Sequence, residues 1–68
     1  MDEKILYFIS FCVEQYKMPK GISGSEAMKL FDQFHVTEYL CQNYDVLHTQ
    51  GHQWLMNEID ELINKRAA

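Results

Sequence analysis

The sequence predicts an all-α protein, a compact bundle of four short helices in one domain spanning residues 1–68, and three observations predict it. Apolar residues recur at the three-and-four spacing of a helix face in four successive segments. The three glycines and the single proline fall between those segments. No stretch shows the strict alternation of a half-buried strand.

The first helix is predicted from about Asp2 to Lys17. Asp2 and Glu3 suit the positive end of the helix dipole, Lys17 suits the negative end, and Pro19, Lys20 and Gly21 read as the stop. Ser23-Gly24-Ser25-Glu26 then spells a capping box, and Ala27, Leu30, Phe31 and Phe34 follow it on one face of a second helix ending near His35. Thr37 reads as the cap of a third helix carrying Tyr39, Leu40, Tyr44 and Leu47, with Leu47 to Gly51 as the next connection. The fourth helix runs from about His52 to Lys65. It places Leu55, Ile59, Leu62 and Ile63 on one face and Asn57, Asp60, Glu61 and Asn64 on the other.

A chain of 68 residues buries only about 60% of its unfolded surface, so its private core is marginal and a second chain would help. Cys12 and Cys41 each lie within an apolar periodic stretch and read as buried thiols in a reducing compartment. The acidic start lacks the positive charge of a secretory signal, and the apolar run Ile5 to Val13 falls short of the roughly 20 residues that span a bilayer. The expectation is a cytoplasmic protein. Ten acidic residues against six basic ones give a net charge of −4, and no Lys or Arg occurs from Leu30 through Asn64. Nucleic-acid binding is disfavoured by that distribution, because it depends on neutralising phosphates.

The first helix carries the functional expectation. At 100° per residue its apolar side chains cover roughly 260° of arc, where a surface helix needs little over 100°. Three short helices can cover Ile5, Ile9, Cys12, Val13 and Tyr16, but the sector of Tyr7 and Phe11 points elsewhere. Either helix one is the central helix of a tight bundle, or Tyr7, Phe11 and with them Phe8 form an interface, most simply to a second copy as a homo-oligomer. The acidic half, with Glu38, Asp45, Glu58 and Glu61 as charges and Trp54 as an anchor, is a second candidate surface for a protein partner.

Chemistry finds little support. His48 and His52 have the i, i+4 spacing of a metal pair, with Cys41 or His35 as an imagined third ligand, but Gly51 between them marks a helix boundary. No metal or other cofactor is expected. A thiol nucleophile at Cys41 has no base and orienting partner, and Glu58, Asp60 and Glu61 are better read as a solvated face than as paired acid and base. The protein is expected not to be an enzyme. An alternative is a small DNA-binding, transcription-regulating module of helix-turn-helix type, offering Thr37, Glu38, Gln42 and Asn43 to the bases but lacking cations for the backbone.

The segments ILYFISFCVEQYK, SGSEAMKLFDQFHVTEYL, YDVLHTQG and WLMNEIDELI, spanning about Lys4 to Ile63, resemble a family of small uncharacterised bacterial helical proteins, a domain of unknown function. Its members are often encoded beside ADP-ribosyltransferase-type toxins. The resemblance therefore implies an antitoxin that occludes such an enzyme, and it supplies no catalytic residues to transfer.

Overall fold

A computed structural model describes residues 2–68. The chain is all-α and folds as a globule of 27 × 23 × 22 Å, with five helices among the described residues: α1 (Glu3–Lys20), α2 (Gly24–Gln33), α3 (Val36–Gln42), α4 (Tyr44–Leu47) and α5 (His52–Ala67). Among the described residues no helix is long and apolar enough to cross a membrane.

Asp2 opens α1 as its N-cap, its carboxylate accepting from the Lys4 amide at 2.8 Å. The expected stop at Lys17 is corrected, because α1 continues through Pro19 to Lys20. Proline has no N–H to return to the Gln15 carbonyl, but only one rung of the ladder is lost so near the end. Gly21, at φ 65°, then closes the helix, with the Ile22 amide donating to Lys17 and the Gly21 amide to Met18, each at 3.3 Å. Glycine reaches this left-handed conformation at little cost.

The capping box at Ser23 forms in both directions, each bond 3.0 Å long, and starts α2 where expected. At the other end the chain turns through Phe34 and His35. His35 lies at φ 56° and serves as the N-cap of α3 without a side-chain bond to the backbone of the first turn. Thr37 is therefore not the cap. It sits inside the first turn of α3, and its hydroxyl is buried without a partner. Arg66 braces the turn: its Nη1 donates to the Phe34 carbonyl, left open where α2 ends, at 2.6 Å, and at 3.0 Å to the His35 carbonyl, which also accepts the Tyr39 amide as the first rung of α3.

The third predicted helix is in fact two, broken at Asn43. That residue leaves helical geometry at φ −112°, and both its amide and its side-chain nitrogen donate back to the Tyr39 carbonyl. Local side-chain bonding of this kind competes with helix propagation. The single turn of α4 then swings Leu47 into the core.

The core draws on every helix. Phe8, Ile9, Cys12, Val13 and Tyr16 come from α1, Ala27 and Phe31 from α2, Val36 and Leu40 from α3, Leu47 from α4, and Leu55, Met56, Ile59 and Ile63 from α5. Phe31 is fully enclosed and meets Tyr16 edge to face at 5.6 Å. Truncating it would cost about 3–5 kcal/mol, comparable to the whole stability of a domain this small.

Candidate protein-docking surfaces

The burial pattern of α1 splits its broad apolar arc in two. One side packs inward; the other leaves Tyr7 76% exposed, Leu6 55% and Phe11 37%, with Met28 of α2 alongside at 38%. Tyr7 and Phe11 thus stand where the sequence places them, at the surface. Phe8 does not. Its ring is buried and meets Tyr44 edge to face at 5.4 Å, because the α4 turn folds over that side of α1. Leu6 and Met28 were not singled out from the sequence, and their place in the apolar stretches offered no signal that separates them from core residues.

Two grooves flank the Tyr7 and Phe11 ridge. One of about 310 Å³ lies between α1 and the α4–α5 loop, where His48, Gln50 and His52 face Tyr7 and Phe11. Here His48 stacks on Tyr44, ring centroids 4.3 Å apart, and its Nδ1–H donates to the Tyr44 carbonyl at 2.6 Å. His52 opens α5 and meets the Phe11 ring edge to face at 6.3 Å. The two histidines thus lie on different elements rather than on one helix face. Among the described residues, no group of three or more His, Cys, Asp or Glu side chains is placed to share a metal ion. The other groove is apolar and runs between α1 and α2, past Leu6, Ile9, Val13 and Met28.

The second surface lies on α5. Trp54, Glu58 and Glu61 are spaced i, i+4, i+7 and share one helix face. Trp54 is 46% exposed, so its indole is not a core anchor. Glu58 is half-buried and accepts from the Tyr39 hydroxyl at 2.7 Å, while Glu61 is exposed in the adjoining groove with Lys65. The other two expected acids stand apart from this face. Glu38 is on α3, with His35 Nδ1 2.6 Å from its Oε2, and that hydrogen bond holds its carboxyl below the usual carboxylate range. Asp45 is exposed on α4 and lines neither the groove nor the α5 face.

Elsewhere the titratable groups serve the fold. Burial pushes the Cys12 thiol up to about 12, which keeps it protonated and unreactive. Cys41 is half-buried. Tyr16 is also pushed up to about 12, first by burial and then by Asp60, whose carboxylate pairs with Lys20 at 2.9 Å. Lys20 in turn lies 5.2 Å from the centre of the Tyr16 ring, so the end of α1 is tied to α5.

No curated protein and no solved structure matches the chain. Residues 7–66, covering all five helices apart from the first turn of α1 and the last residue of α5, match the family described as Protein of unknown function (DUF3791). The chain belongs to that family.

Proposed function

We propose that this chain is a cytoplasmic protein-binding module, an antitoxin-like regulator that docks through the Trp54, Glu58 and Glu61 face of α5 and occludes the active site of a partner enzyme. The observation that carries this reading is a large aromatic side chain left half in solvent on a helix face with two carboxylates. Tryptophan is enriched among residues that dominate binding energy, and the flanking acids suit a basic cleft such as one that binds nucleotide phosphates. The family resemblance makes an ADP-ribosyltransferase-type toxin the partner of choice. The chain acts by binding and catalyses nothing itself.

The test pairs the purified chain with an ADP-ribosyltransferase-type toxin from the same source, measuring affinity by calorimetry and inhibition of the enzyme. Trp54→Ala should weaken both by about 30-fold or more, as expected for a central aromatic anchor. Glu61→Gln should weaken binding less and flatten its dependence on salt. Binding and inhibition unchanged in both variants would remove α5 as the docking face. A chain that neither binds nor inhibits the enzyme would remove the antitoxin reading itself.

A further inference from the structure

The exposed side of α1 has an internal order that its apolar character alone does not explain. Lys4, Tyr7, Phe11 and Glu14 are spaced by three, four and three residues, the repeat of a coiled-coil seam, and all four are exposed. Tyr7 and Phe11 stand two residues either side of position 9, and Lys4 and Glu14 stand five either side. The stripe is therefore cation, aromatic, aromatic, anion about one midpoint. Turned end for end, it presents to itself an aromatic for each aromatic and a carboxylate for each ammonium.

The shape of the surface agrees with the pattern. Tyr7, Ser10, Phe11 and Glu14 enclose a depression of about 250 Å³ with Ser10 as its small member. Residues i, i+3, i+4 and i+7 are the four that form the hole for a knob from a facing helix. In the register that sets Tyr7 opposite Phe11, the residue facing this hole is Tyr7 of the second helix, at 76% exposure the most exposed of the large apolar side chains among the described residues.

We infer that the occupant of this face is a second copy of the chain, docked with the two α1 helices antiparallel about a two-fold axis near position 9. Each Tyr7 enters the other copy's depression, each Phe11 packs on the opposing Tyr7, and each Lys4 faces the opposing Glu14. A parallel pairing in the same alignment would set Lys4 on Lys4 and Glu14 on Glu14. Within one chain Glu14 pairs with the half-buried Lys17 at 3.1 Å, and the Glu14 side chain, 60% exposed, keeps an open side for a second cation. Two helix dipoles laid antiparallel also attract. Trp54, Glu58 and Glu61 are not part of the stripe, so this inference stands or falls apart from the proposed function.

The experiment is sedimentation equilibrium across micromolar to millimolar chain concentrations, with circular dichroism as the control for folding. The native chain should dimerise, and Tyr7→Glu with Phe11→Glu should give a folded monomer. Lys4→Glu and Glu14→Lys should each weaken dimerisation by about tenfold at low salt, since either converts two attractive contacts into two repulsive ones. The double exchange K4E/E14K should restore it, and so should mixing the two single variants. A native monomer at millimolar concentration would overturn the inference. A dimer indifferent to both single exchanges, or one that K4E/E14K fails to rescue, would overturn the antiparallel arrangement.

Discussion

The hydroxyl of Tyr39 donates to the carboxylate of Glu58 across 2.7 Å, tying α3 to α5 at a point where both side chains are only half-buried. The same carboxylate raises the Tyr39 phenol, first through the hydrogen bond and then together with burial. Tyr39→Phe should therefore destabilise the fold by about 1 kcal/mol, within the usual range for one hydrogen bond. A double-mutant cycle with Glu58→Ala, which leaves no acceptor at this position, should return a coupling of similar size when read by chemical denaturation. Strictly additive single effects would show that the bond contributes nothing.

Stability should fall at high pH. Cys12 and Tyr16 are both raised, to about 12, from ordinary values of 9.0 and 10.0, and Tyr39 is raised as well. In each case the unfolded chain loses its proton before the folded one does. Their contribution is thus complete below about pH 9 and is lost progressively as pH rises toward 12. Denaturant midpoints measured from pH 8 to pH 12 should decline across that window. Phenolate absorbance should show Tyr16 and Tyr39 ionising late in the native protein.

His35 occupies the left-handed region at φ 56°, where a side chain costs roughly 1–2 kcal/mol and glycine very little. His35→Gly should leave thermal stability unchanged or raise it, despite losing the contact to Glu38. His35→Val, β-branched in the same conformation, should lower it by about 1–2 kcal/mol. Equal melting temperatures for the two variants would mean that the turn rearranges.

Arg66 holds two carbonyls of the same turn. Arg66→Ala should cost about 1 kcal/mol, or a melting temperature lower by roughly 4–8 °C in a domain of this length. Hydrogen exchange should show the loss most strongly in the amides of the α2–α3 corner.

The parts of the fold that were legible in the sequence depend on neighbours in the chain. The Ser23 and Glu26 box, the start of α5 at His52, and the inward face of Leu55, Ile59 and Ile63 all follow from spacing within one helix. The outward direction of Tyr7 and Phe11 followed from the same helical wheel. What was missed depends on distant neighbours or on competition between local bonds. Phe8 is buried because α4, more than thirty residues later, folds across it. Thr37 had the chemistry of a cap, but the αL turn at His35 started the helix earlier. Asn43 broke a helix that apolar periodicity alone would continue, and the reach of Arg66 to the α2–α3 corner spans about half the chain. The acids of the candidate site were legible as exposed charge. Their distribution over three helices and the engagement of Glu58 by Tyr39 were not.

The last helix bears on how the protein is made. α5 contributes Leu55, Met56, Ile59 and Ile63 to the core, and it reaches α1 through Asp60, α3 through Glu58 and the α2–α3 corner through Arg66. Every partner it needs is synthesised before it. A growing chain that has displayed α1 to α4 can begin to collapse but cannot close, so its apolar faces wait in the open until α5 emerges. During translation that interval is when a holding chaperone, or a second nascent copy on the same message, has its opportunity to engage.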